Sequence, residues 1–198
     1  MPTLTPLRGA AFVVALTAAL ASCSDSESPN ATTSLSVRLK DAPGDVQHAF
    51  VTITEVDLVG SGGVQVLTDA PVTTDLLTLA TDALTLVHDV EVPSGTYHEL
   101  RFKISGACVA VDDGNGGSTV YATADYDATP CGGNATGTLR APSFAQSGLK
   151  VQMADGALEL TGPAKMLLVD FDVTQSFGHE ANGWVMHPVV TGGEITTE

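Results

Sequence analysis

The strongest pattern in the chain runs from Val90 to Ile104, where an alternating segment leaves a turn at Pro93-Ser94-Gly95. Leu100, Phe102 and Ile104 point to one side and Glu99, Arg101 and Lys103 to the other. That period of two predicts a strand with one face on a core. Pro93 presets φ for the turn, and Gly95 can take the positive φ that closes it. Leu35, Val37 and Leu39 alternate in the same way with Ser36, Arg38 and Lys40. In Phe50 to Leu58 the alternation changes phase, which predicts a bulge near Thr54-Glu55.

Further strands are expected at 64–67, 107–111, 119–124, 149–153, 157–160, 165–173 and 184–187. Asp75 to Asp82 is the one candidate helix, crossing between sheets. Asn182-Gly183 predicts a hairpin turn, and Pro188 predicts that the following strand is an edge or ends there. His98 shares parity with Leu100 and is expected to be partly buried. Roughly nine or ten short strands with turn signals between them predict an all-β antiparallel sandwich, immunoglobulin-like or transthyretin-like, with one short helix at most.

The amino-terminus does not fit this pattern. One positive charge precedes an apolar run from Gly9 to Leu20, then Leu20-Ala21-Ser22-Cys23. The run is short of the ~20 residues that span a bilayer. It reads as a signal peptide, residues 1–22, and small residues before a cysteine resemble the bacterial lipoprotein cleavage motif. Cys23 is then the acylated first residue of the mature chain, and several acyl chains anchor stably where one does not. Ser24 after Cys23 resembles the default export signal to the outer membrane. Residues 23–34 form the expected tether, 35–192 the folded domain and 193–198 a tail.

Composition narrows the partners. Of 198 residues, 8 are Lys or Arg and 23 are Asp or Glu, a net charge of −15. A surface that acidic disfavours nucleic acid. The expected partners are the membrane, through the anchor, and an envelope protein or glycan.

Several motifs together resemble one family. They are Leu39-Lys40-Asp41-Ala42-Pro43, Thr52-Ile53-Thr54 with Val56, and Val72 with Asp75-Leu76-Leu77. Pro93 with Gly95-Thr96-Tyr97, Ser147-Gly148-Leu149-Lys150, Leu168 to Asp172 and His187-Pro188-Val189 follow in order. Over about Leu35 to Val190 the chain resembles the bacterial and archaeal domain-of-unknown-function family 4382. The resemblance implies a sandwich in the style of carboxypeptidase regulatory domains and a surface location. It implies no catalytic residues. The insert from Cys108 to Cys131 departs from the commoner pattern.

Of the three cysteines, lipidation of Cys23 leaves Cys108 and Cys131, which an oxidising compartment would pair. Such a bridge stabilises by about 3 to 4 kcal/mol on the chain-entropy view. Asp112, Asp113, Asn115, Asp125 and Asp127 make the insert oxygen-rich, as calcium requires, although their spacing is not that of an EF-hand and these residues are also turn formers. No other cofactor is indicated. Asp170 and Asp172 share one strand face and are the candidate carboxylates for a hydrolase, set against a solvated outer face. Phe177 and Trp184 flank a hairpin tip, as sugar-stacking aromatics or as a core plug. The histidines lack zinc spacing, and no nucleophile motif occurs. The expected role is therefore a non-enzymatic binding or structural module on the cell envelope. The alternative is a hydrolase or calcium-binding module.

Overall fold

The computed structural model describes residues 31–197 apart from 43–45, 143, 154, 163 and 182. The expected signal peptide, Cys23 and the first part of the expected tether lie outside the described residues. The chain is all-β and sandwich-like, with two mixed sheets.

The smaller sheet has the order β14 (Val189–Thr197), β11 (Lys165–Asp172), β1 (Thr32–Ala42), β5 (Leu84–Pro93). The larger is built on β2 (His48–Gly60) and β6 (Gly95–Asp112), which are antiparallel. β3 (Gly63–Thr68) and β4 (Val72–Asp75) share the outer flank of β2. The far flank of β6 takes β7 (Ser118–Ala122), β9 (Leu149–Gln152) and β10 (Leu158–Leu160). Beyond β7 come β8 (Gly137–Arg140), β13 (Gly183–Met186) and β12 (Phe177–Glu180). Three pairings are parallel, β1 with β11, β7 with β8 and β8 with β13, so the expected sandwich is built of mixed sheets in which most pairings are antiparallel. Alternation along a strand reports which face is buried and is silent about the direction of the neighbour.

The inner faces meet as the period of two requires. Leu35, Val37 and Leu39 of β1 and Leu167, Val169 and Phe171 of β11 are buried with Leu58, Leu100 and Phe102 of the larger sheet in one core. Burying each of these side chains contributes about 1.5–3 kcal/mol.

Two bulges reset the phase. On β2, register slips around Thr54, where the change of alternation is expected. On β6, Thr52 pairs with Gly106 and Ile53 with Ile104, leaving Ser105 as the extra residue. β6 therefore continues unbroken through Gly106 where the sequence suggests two strands. A third slip, between the pairs Val59–Glu99 and Gly60–Tyr97, leaves His98 extra. His98 is accordingly exposed, and its parity with Leu100 misleads.

Pro93-Ser94 is a corner between sheets and not a hairpin. β5 pairs with β1, β6 pairs with β2, and Gly95 is nearly extended. Two hydrogen bonds pin the corner: Ser94 N donates to Ala31 O at 2.8 Å, and the Tyr97 hydroxyl donates to Pro93 O at 2.8 Å. β1 begins at Thr32, so the last residues of the expected tether are strand, and β14 takes up the expected tail as far as Thr197.

Asp75 to Asp82 contains a 3-10 helix, Leu76–Ala80, that carries the chain between sheets. It is capped by Asp75, which accepts from Leu77 N at 3.2 Å. Two single-turn helices, α1 (Phe144–Ser147) and α2 (Val173–Ser176), and a 3-10 turn at Thr129–Cys131 complete the described elements. Gly183, with φ 111°, starts β13 of the expected hairpin with β12; Asn182 lies outside the described residues.

Candidate functional site

The larger sheet is split on the far flank of β6. β9 pairs with Glu99 to Phe102, and β7 joins only at Cys108. Between them no strand covers that flank among the described residues. Thr123 binds there, its N donating to Ala107 O at 2.9 Å and its Oγ1 accepting from Ala107 N at 3.1 Å. The split opens a cleft of about 450 Å³. Its floor is apolar, made of Ile104, Ala107, Leu139 and Met186, all buried. Its rim carries hydroxyls from Ser105, Thr123 and Thr138 with the Arg140 guanidinium, and Phe144 of α1 forms a wall. A neighbouring hollow of about 400 Å³ shares Thr123, Ala124 and Thr138 and adds Asp125, Tyr126 and Thr136. Apolar floors with few polar groups at the rim are the usual character of small-ligand sites.

One charge at the rim is already balanced. Arg140 Nη2 donates to Glu180 Oε2 at 2.8 Å, and His187 Nε2 lies 3.5 Å from the other oxygen of Glu180. The Arg140 hydrogen bond holds the Glu180 carboxyl below the usual range.

The insert is tied down by a disulfide between Cys108 and Cys131. Cys108, Ala110, Val120, Ala122, Ala128 and Cys131 form a second small core on the outer face of β6. Tyr126 packs against it, its ring lying over Gly106 and its hydroxyl 3.1 Å from Thr52 Oγ1. The bridge therefore positions one side of the cleft.

The calcium candidates are occupied as turn acceptors. Asp112 accepts from Gly114 N at 2.6 Å, and Asp113 accepts from Asn115 N and Gly117 N at 2.7 and 2.9 Å. Asp127 accepts from Thr129 N and its hydroxyl at 2.9 and 2.6 Å. These bonds hold Asp113 and Asp127 below the usual carboxylate range. Asp125 lines the hollow, with φ 60°. Among the described residues no three His, Cys, Asp or Glu side chains gather as a metal-ligand set.

Asp170 and Asp172 are likewise drawn apart in role. Asp172 caps α2, accepting from Gln175 N at 2.9 Å, and Asp170 Oδ2 lies 3.2 Å from Lys40 Nζ of the adjacent strand. Phe177 is 7% exposed and belongs to the core. Trp184 is half-buried, with ring centroids 6.0 Å from Tyr121 and 5.9 Å from His179. Neither ring stands free at the tip.

The profile of a domain-of-unknown-function family, DUF4382, matches residues 32–188, most of the chain. The chain belongs to the DUF4382 family. Neither a curated protein nor a solved structure matches it. In this DUF4382 domain the cleft residues escape a reading of the sequence because they come from β6, β8, β13, the insert and α1, and no local spacing unites them. Ser105 and Gly106 were the available signal, since the inward parity changes between Ile104 and Ala107.

A charged cluster around one buried carboxylate was also missed. Asp57, 3% exposed, sits on the outer face of β2 with Glu55, opposite Lys103 and Arg101 of β6. Lys103 Nζ hydrogen-bonds Glu55 and lies 3.7 Å from Asp57 Oδ2, while Asp57 Oδ1 has no hydrogen-bond partner among the described residues. Burial, then the neighbouring Glu55, raises the Asp57 carboxyl above its usual range; the Lys103 hydrogen bond lowers Glu55.

Proposed function

We propose that this protein is a non-enzymatic binding module held on the bacterial envelope by an acylated Cys23, with its ligand seated in the cleft beside β6. The single observation behind this reading is the cleft itself. Its apolar floor at Ile104, Ala107, Leu139 and Met186 and its hydroxyl and guanidinium rim suit a small amphiphilic ligand or the apolar end of an envelope glycan or peptide. The candidate hydrolase carboxylates serve a helix cap and an ion pair, which favours binding over catalysis. The amino-terminal sequence supports the anchor, and the strand start at Thr32 keeps the tether short.

The seat is tested with anilinonaphthalene sulfonate, an anionic amphiphile that brightens in apolar sites. Wild-type protein brightens the dye, and Ala124→Trp, at an exposed rim position, abolishes that signal while leaving thermal unfolding unchanged. Equal brightening by both proteins overturns the cleft as the seat. The anchor is tested separately by mass spectrometry of the mature amino-terminus. An unmodified Cys23, or a chain still carrying residues 1–22, overturns it.

A further inference from the structure

We propose that the β2–β3 hairpin, led by Val64 and Val66, lies against the bilayer that holds the chain, a contact that rests on the acylated Cys23 proposed above. Val64, 51% exposed, and Val66, 55% exposed, are the exposed large hydrophobics of the described residues. They share the outer face of β3, beside half-buried Val59 of β2, which pairs with Val64.

Their place in the fold names the occupant. The chain enters the domain beside the corner between β5 and β6: Ala31 O accepts from Ser94 N at 2.8 Å, and Thr33 Oγ1 lies 3.2 Å from Ser94 Oγ. Just past that corner Tyr97 pairs with Gly60, where β2 turns through Ser61-Gly62 into β3. The valines therefore sit at the end of the molecule from which the chain runs back to Cys23. The turn of the insert, with Asn115 exposed, follows the other end of β6, up to about 55 Å away along the strand. From Cys23 to Ala31 the chain spans at most about 28 Å, whatever its conformation. Acyl chains on Cys23 thus keep the bilayer beside the hairpin end.

Two valines would not hold a free domain on lipid. An anchored domain needs only to turn, because the tether makes the contact intramolecular. Charge selects the kind of bilayer. On the same face Arg101, Lys103 and Lys150 stand among Glu55, Asp57 and Glu99, a balanced lattice, while Asp69 follows β3. A chain of net charge −15 is repelled by anionic lipid, so the surface it meets is zwitterionic. The contact stays at head-group depth. Water there still satisfies the outer side of β3, to which no strand pairs among the described residues.

The full-length acylated chain is bound to dioleoylphosphatidylcholine vesicles with a nitroxide on Ser61→Cys, at the hairpin tip, or on Asn115→Cys, in the insert turn. Both positions are exposed, and with Cys108 bridged to Cys131 the label finds one thiol. The Ser61 label is expected to collide with a water-soluble nickel chelate about threefold less often than the Asn115 label, or less still. Val64→Asp with Val66→Asp should make the two labels equally accessible while thermal unfolding stays unchanged. Equal accessibility with both valines in place, in a chain that floats with the vesicles, overturns the contact alone. Shielding of the Ser61 label that survives both aspartates does the same. A chain that does not float with the vesicles overturns the anchor and the contact with it.

Discussion

The two halves of β6 are built differently. From Leu100 to Ile104 one face is buried and the other carries Arg101 and Lys103, half-buried in an ionic lattice with Glu99, Glu55 and Asp57. From Ala107 to Ala110 both faces are buried. Ala107 and Val109 enter the main core, while Cys108 and Ala110 enter the small core of the insert. The first half shows what a strand does when solvent covers one side. The second shows what it does when its own insert, fastened by a disulfide, covers that side instead. The cleft lies at the junction, where the phase resets at Ser105-Gly106.

The comparison is tested most severely by Phe102→Ala, which empties a fully buried site shared by both sheets. It should cost about 3–5 kcal/mol in urea unfolding and lower hydrogen-exchange protection in both sheets. A loss confined to β6 would refute the single core.

Next in size is Cys108→Ala with Cys131→Ala, expected to cost about 2–4 kcal/mol. Exchange protection should fall across β7, β8 and the insert while β1 and β11 keep theirs. A uniform loss would mean that the small core is not a separate unit.

Gly106→Ala comes third. A methyl group there would overlap Tyr126 Cδ2 and lie 3.0 Å from Thr123 Oγ1, so the ring must move. The expected cost is about 1–3 kcal/mol, with a weakened dye signal from the cleft. In a strand held only by the main sheet the same change would be mildly stabilising, because glycine is the poorer strand former.

The smallest effect belongs to the first half. Asp57 has a raised carboxyl pKa in the folded protein, so its protonated form is favoured by folding. Its contribution to stability is therefore greatest below its unfolded value and declines as pH rises through the folded one. Asp57→Asn should raise the melting temperature at neutral pH and leave it little changed in acid. Asp113, Asp127, Asp172 and Glu180 have the opposite sign: their lowered values add stability above the ordinary carboxylate range that is lost as pH falls through the folded ones. A melting temperature that falls at neutral pH on replacing Asp57 would show that the Lys103 contact outweighs burial.

Much of the fold was legible because alternation is a local property. Leu35, Val37 and Leu39, the bulge at Thr54 and the inward set Leu100, Phe102 and Ile104 follow from parity alone. Parity failed at His98, where a slip moves the side chain to solvent without any mark in the residues around it. It failed again for direction, since β1 beside β11 and β8 between β7 and β13 are parallel through long connections. The oxygen-rich insert was legible as turns and ambiguous as a metal loop, because the same Asp, Asn and Gly residues serve both. Phe177 illustrates a side chain whose tip position in sequence says nothing of burial.

By themselves, the residues determined a β-rich domain with strands in these places and a pair of cysteines suited to bridging. Their order also marked the family. These are consequences of period, turn chemistry and redox state, which act over a few neighbours. Only the tertiary structure decided which strands lie side by side, that the insert becomes a second layer over β6, and that a cleft opens between β9 and β7. Those outcomes depend on contacts between segments far apart in the chain, where many arrangements satisfy the same local pattern and packing selects one.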